Sequence, residues 1–142
     1  MANYECSMRS NYFHVKDEKA LRELITKTVC SEENLELFES KETNGRLVFG
    51  FCAYGSILGI PVENGREDEY NYDGFVKSLQ KIIEPDDAII IFETGHEKLR
   101  YICECASVIT ANDCVWLDMS DIAVNKARKM LNNPNWKTDC SY

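Results

Sequence analysis

Seven cysteines and two histidines are the residues of this 142-residue chain best suited to chemistry. Cys103 and Cys105 stand two apart, so on a strand both thiols point to one face and could serve as two soft ligands for a metal ion. A stable site needs three or four ligands, and spacing supplies no more. No Cys-x-x-Cys occurs, and Cys6, Cys30, Cys52, Cys114 and Cys140 are scattered. The expectation is no metal and no cofactor, with the pair read as part of a sheet face built from small residues. Cys52, His14 and His96 are raw material for a nucleophile and its base, but nothing in their spacing joins them. Cys52 falls in an apolar strand and is read as packing. His14, between Phe13 and Val15, is read as a surface or capped residue, and His96 as a solvated turn residue. No catalytic residue is assigned, and the chain is expected not to be an enzyme. Its runner-up reading is a small cysteine-using enzyme or a metal- or ligand-binding protein.

Other motifs are missing. Neither G-x-x-x-x-G-K-[ST] nor G-x-G-x-x-G occurs, and Gly50, Gly55 and Gly59 lack the strand-turn-helix setting that cradles a phosphate. Asp86-Asp87 and Glu67-Asp68-Glu69 do not form a calcium-hand pattern and read as solvated acids. The longest apolar run, Ala88 to Phe92, is far short of the roughly 20 residues of a membrane span. The first residues show neither the basic nor the apolar region of a signal peptide. Together with an odd number of irregularly spaced thiols, this predicts reduced cysteines, mostly small core hydrophobes, in a cytoplasmic protein.

Charge is the more informative signal. The net charge of −8 weighs against direct contact with nucleic acid or an anionic membrane. Residues 31–42 carry Glu32, Glu33, Glu36, Glu39 and Glu42 against Lys41, a net of −4. Residues 63–87 carry Glu63, Glu67, Asp68, Glu69, Asp73, Glu84, Asp86 and Asp87 against Arg66, Lys77 and Lys81, a net of −5. The remainder is close to neutral, at +1. Tyr70 and Tyr72 interleave with the second acidic run. Carboxylates steer toward a basic surface, and tyrosines give contact area at low entropic cost. The expected partner-binding residues are therefore Glu63, Glu67, Asp68, Glu69, Tyr70, Tyr72 and Asp73, then Glu32, Glu33 and Glu36. The expected partner is a protein with a basic groove.

The elements that must position these residues follow from periodicity. Tyr4 to Val15 reads as a strand, and Asp17 caps a helix over 18–30. Asn44-Gly45 predicts a type I′ turn between strands at about 35–43 and 46–54, with Leu47, Phe49, Phe51 and Ala53 on one face. A polar loop holds Gly55, Gly59, Pro61 and Gly65. A second helix starts near Asn71 or Asp73, buries Phe75, Val76, Leu79, Ile82 and Ile83, and ends at Pro85. Residues 88–92 predict a central strand covered on both faces, 95–98 a turn, and 99–110 and 114–118 two strands. Ser120 is expected to cap a third helix burying Ala123, Val124, Ala127, Met130 and Leu131, ended by Asn132-Asn133-Pro134. The order β-α-β-β-α-β-β-β-α predicts one α+β domain over 1–142. Its sheet is largely antiparallel, with helices packed on one face. Trp116 and Trp136 are candidates for an aromatic patch in a homodimer, although Trp116 on a strand reads more simply as core.

Several stretches also carry a resemblance. They are Arg9-Ser-Asn-Tyr-Phe13, Val15-Lys-Asp-Glu18, Gly50-Phe-Cys-Ala-Tyr-Gly-Ser56, Glu93-Thr-Gly-His-Glu-Lys-Leu-Arg-Tyr101, Ala127-Arg-Lys-Met-Leu131 and Asn135-Trp-Lys-Thr138. In this order the chain resembles small accessory proteins of phages, plasmids and conjugative elements of Gram-positive gut bacteria. By context, the resemblance implies an antagonist of host defence, of the anti-CRISPR or anti-restriction kind. It carries over no catalytic residue. The resulting expectation is a non-enzymatic inhibitor whose acidic segments occupy the nucleic-acid groove of a CRISPR effector or restriction enzyme. A homodimeric interaction module is the third alternative.

Overall fold

Six antiparallel strands form the main sheet in a computed structural model that describes residues 4–98 and 101–138. In chain order the elements are β1 (Glu5–Ser10), α1 (Glu18–Lys27), β2 (Val29–Cys30), β3 (Glu36–Lys41), β4 (Leu47–Tyr54), β5 (Ile57–Pro61), β6 (Tyr70–Asn71), α2 (Tyr72–Ile82), β7 (Ile89–Glu97), β8 (Tyr101–Ile109), β9 (Cys114–Asp118) and α3 (Met119–Met130). The main sheet runs β3-β4-β1-β7-β8-β9, and a small second sheet runs β2-β5-β6. The fold is α+β with the expected order, plus three short strands that periodicity does not reveal. β5 and β6 lie where a polar loop is expected. Gly55, Gly59 and Pro61 resemble loop punctuation, and strands this short have no period to read. β2 takes the end of the expected first helix, which stops at Lys27. There Thr28 turns to extended backbone and returns its Oγ–H and N–H to the Leu24 carbonyl.

The core fills one side of the main sheet. α1 buries Leu21, Leu24 and Ile25, and its N-cap is Asp17, whose carboxylate accepts the Ala20 N–H. α2 buries Phe75, Val76, Leu79 and Ile82, and Asn71 caps it through the Gly74 N–H. The sheet answers with Met8, Phe49, Phe51, Ile89, Ile91 and Ile109. The edge-to-face rings Phe13–Phe51 and Phe51–Phe75 tie the strands to α2. Buried Ser10 is satisfied: its hydroxyl accepts the Phe51 N–H and donates to the Asn11 carbonyl. β1 is shorter than expected, and Phe13 and Val15 continue it only as isolated bridges.

Among the described residues, the core helices α1 and α2 leave the opposite side of the main sheet uncovered. Glu36, Cys52, Arg9, Phe92, Ala106 and Leu117 lie side by side across it, and Phe92 is 52 % exposed. The strand expected to be covered on both faces is therefore covered on one. An unbroken apolar run does not say whether a second layer of chain exists to cover it. β7 also continues through Glu97, so Gly95 and His96 are strand residues rather than a turn. Residues 99 and 100, the expected start of the next strand, lie outside the described residues.

Four local expectations change. The β3–β4 loop is not type I′, because Gly45 alone takes a positive φ, of 84°. Gly45 N–H donates to the Glu42 carbonyl, and Asn44 uses its side chain to accept the Arg46 N–H. That is a three-residue loop closed by a left-handed glycine. The cap of α3 is Asp118 rather than Ser120, and Asp118 Oδ1 accepts the Ser120 N–H. α3 buries none of its residues and leaves Met130 77 % exposed, so its apolar stripe is not core. It stands over the start of β8 and the end of β9, not over the layer that α1 and α2 make. Trp116 is 60 % exposed on the edge strand β9, not core. Among the described residues, no helix is long and apolar enough to cross a membrane.

Candidate functional site

Most of the acids expected to bind a partner flank β5, whereas Glu36 opens β3 in the main sheet, opposite Cys52. Glu32 and Glu33 directly follow β2, which pairs with β5 through Val29↔Gly59 and Cys30↔Ile57. Ser31 N–H donates to the Ser56 carbonyl, and its Oγ accepts the Ser56 N–H. A Cβ on Gly55 would meet Ser31 Oγ at 2.4 Å, so only glycine lets this segment approach so closely. At the other end, residues 62–69 link β5 to β6, through Ile60↔Asn71 and Pro61↔Tyr70. Asp73 then opens α2. These groups therefore flank the two ends of one five-residue strand, itself about 13 Å long at roughly 3.3 Å per residue.

Pairing sorts the carboxylates. Glu18 and Glu39 hold Arg22, Glu84 holds Arg46, and Glu42 and Asp87 hold His14. These acids lie in the same two segments or on α1 but serve the fold. Glu32, Glu33, Glu36, Glu63, Glu67, Glu69 and Asp73 are all exposed and in no ion pair among the described residues. Asp68 has a loose contact of 3.8 Å to Arg66, both side chains more than 80 % exposed, which contributes little. Of the two tyrosines, Tyr72 is 38 % exposed and Tyr70 less so. Tyr70 is half-buried in β6. The Tyr72 ring tilts against Phe75 and lines a recess with Met8, Glu93, Cys105 and Trp116.

His14 is not a base in waiting. Its Nδ1 faces Asp87 Oδ2 at 2.8 Å and its Nε2 faces Glu42 Oε1, so both ring nitrogens are engaged. The hydrogen bonds to Glu42 and then Asp87 raise its pKa. Partial burial works to raise that of Asp87, but the His14 and Ala88 N–H groups and the His14 ring hold it below the usual carboxylate range. The stabilisation from charged His14 is fully present below its ordinary pKa and is lost as pH rises through the raised one. That from Asp87 is present above its ordinary pKa and is lost as pH falls through the lowered one. The urea midpoint of the wild type should therefore exceed that of His14→Gln by more near pH ~6 than near pH ~9. Being partly exposed, the cluster contributes less than its geometry suggests. The second histidine, His96, points at Glu5 from 3.8 Å. His96 lines one recess with Cys6 and Cys103, and among the described residues neither histidine hydrogen-bonds a thiol.

The thiols are not mostly core. Cys30 is buried, Cys6, Cys52, Cys103 and Cys105 are half-buried, and Cys114 is exposed; Cys140 lies outside the described residues. Burial raises the pKa of Cys6, Cys30 and Cys114. Burial, then the Cys103 thiol beside it, pushes Cys105 up to about 12. These four thiols thus stay protonated and weakly nucleophilic. Cys103 and Cys105 share a face as expected, their sulfurs 3.9 Å apart. The register Glu93↔Cys105 adds a carboxylate to them. Glu93, Cys103 and Cys105 can bring one ligand atom each within 4.8 Å of the others. Glu93 was not found from the sequence because cross-strand register is not written in local spacing.

Compared with known proteins, the chain matches no protein-family model, and no curated protein or solved structure was found to be similar.

Proposed function

We propose that this protein is a non-enzymatic inhibitor that occupies the basic nucleic-acid groove of a host-defence nuclease through the acidic end built on β5. The observation that carries this reading is the sorting of charge. Within the two acidic segments, Glu39, Glu42, Glu84 and Asp87 are held by Arg22, Arg46 and His14, whereas Glu32, Glu33, Glu63, Glu67, Glu69 and Asp73 are exposed and without ion pairs among the described residues. Unpaired carboxylates in segments anchored at the ends of β5 give a negative potential, which speeds encounter with a basic surface and favours one orientation there. The resemblance to accessory proteins of mobile elements supports a CRISPR effector or restriction enzyme as the target.

The test is capture from a host lysate that contains such systems, with the wild type and the triple variant Glu67→Lys, Asp68→Lys, Glu69→Lys as parallel baits. A nuclease should be enriched on the wild type. Its association with the variant should be at least about tenfold slower at low salt and should lose most of its salt dependence. Equal recovery on both baits, or no nucleic-acid-handling protein on either, would contradict the proposal.

A second reading, a homodimer, is favoured by the uncovered sheet face. Phe92, Val115 and Leu117 are 52 %, 48 % and 40 % exposed beside half-buried Ile90, Ala106 and Val108. Such a face offers on the order of 500 Å², a large share of the ~800 Å² that a standard interface takes from each partner. Light scattering reads it directly: this reading expects twice the monomer mass, and a monomer at high concentration removes it.

A further inference from the structure

The thiol and carboxylate cluster on β7 and β8 borders the recess that Glu32 and Glu33 share with Cys103, and its arrangement goes beyond the proposed inhibition. We infer that Glu93, Cys103 and Cys105 form a binding site for one thiophilic divalent ion, with zinc the best fit and a fourth position left to water. Three features carry this. First, the ligand spacing suits the ion. Zinc–sulfur bonds of about 2.3 Å in a tetrahedron put two sulfurs ~3.8 Å apart, and here they stand at 3.9 Å. Two sulfurs and one carboxylate favour zinc over calcium or magnesium, which take oxygen ligands.

Second, the ligands have their own supports. Tyr4 Oη–H donates to Glu93 Oε2 at 3.2 Å, Tyr101 lines a recess with Cys103, and Trp116 lines another with Glu93 and Cys105. Metal ligands are oriented by such outer partners. Third, the cluster has room because Gly95 lies between Cys6 and Cys103 across the sheet. A Cβ there would come within 2.4 Å of Tyr4 Oη and 2.8 Å of Cys6 Cβ. The bare backbone lets the Tyr4 ring fold over the ligands. All three ligands are half-buried, and α1 and α2 leave this part of the sheet open, so an ion can enter.

On binding, each of the two thiols gives its proton to solvent and each sulfur donates an electron pair to the ion. Glu93 is already ionised and donates through one oxygen. No oxidation or reduction occurs.

Cobalt(II) tests the site, since its thiolate complexes absorb in the near ultraviolet. Reduced, metal-stripped protein should take up one equivalent of cobalt with a thiolate-to-cobalt band, and zinc should displace it. Cys103→Ser and Cys105→Ser should each abolish the band, and Cys114→Ser should keep it. Tyr4→Phe should weaken binding by about tenfold or more, as loss of an outer partner does. Should the serine variants fail to fold by circular dichroism, Glu93→Gln decides, and it should also weaken cobalt binding. No band in the wild type, a band that survives both serine substitutions, or unchanged cobalt affinity in Glu93→Gln would overturn the site.

Discussion

Replacing Phe51 by alanine should cost about 3–5 kcal/mol, the largest loss expected of any single truncation in the chain. Phe51 is fully buried on β4. Its ring meets Phe13 at 5.9 Å and Phe75 at 6.3 Å, both edge to face, so one side chain links the strand bridge at Phe13, the main sheet and α2. Removal leaves a cavity between groups fixed by backbone, which relaxes little. Since small domains are stable by only about 5–15 kcal/mol, the variant should be partly unfolded or sharply sensitive to urea. Phe51→Leu, which keeps most of the volume, should lose far less. Equal urea midpoints for the alanine and leucine variants would show that this ring junction does not organise the core.

Gly59→Ala should be nearly as damaging, for a reason of backbone rather than volume. Gly59 has φ of 127°, where L side chains are rarely found. A Cβ would lie 2.5 Å from the Asn71 carbonyl carbon and oxygen and 2.6 Å from the Tyr72 nitrogen. Backbone strain of this kind costs about 1–3 kcal/mol, and the collision with main chain adds to it. The gap between β5 and the start of α2 should open, loosening the Asn71 cap and the acidic loop that precedes it. Gly45→Ala is the control. Its φ of 84° carries the conformational penalty, but nothing lies within 4 Å of the added carbon. Gly59→Ala should therefore be clearly less stable than Gly45→Ala, and its hydrogen exchange should rise first in β5, β6 and the first turn of α2. Matching stabilities would mean that β5 is not clamped as described.

Much of this architecture was legible in the sequence wherever a period runs long enough to be read. The stripe from Phe75 to Ile83, the Asp17 cap, the alternation from Leu47 to Tyr54 and the strand Cys114–Asp118 all follow from local spacing. The misses share one physical cause: they depend on what lies across space. β2 and β6 have only two residues each, and β5 is obscured by Gly59 and Pro61, the glycine being there for close approach to Asn71 and Tyr72. The run at Ile89–Phe92 does not reveal that only one face is covered. The stripe on α3 is amphipathic yet meets too little of the sheet to be buried. For the site, the acidic segments were visible as composition. That their unpaired members attach to the ends of one strand was not, and neither was the meeting of Glu93 with two thiols.

The central claim is that the carboxylates around β5 take the place of nucleic acid. The most direct measurement is competition on the captured nuclease. Labelled nucleic acid bound to the enzyme is titrated with this protein, and displacement is followed by fluorescence anisotropy. The account predicts full displacement, with apparent affinity weakening as labelled nucleic acid is increased, and loss of displacement for the Glu67→Lys, Asp68→Lys, Glu69→Lys variant. A ternary complex of nuclease, nucleic acid and this protein, with nucleic-acid affinity unchanged, would contradict it.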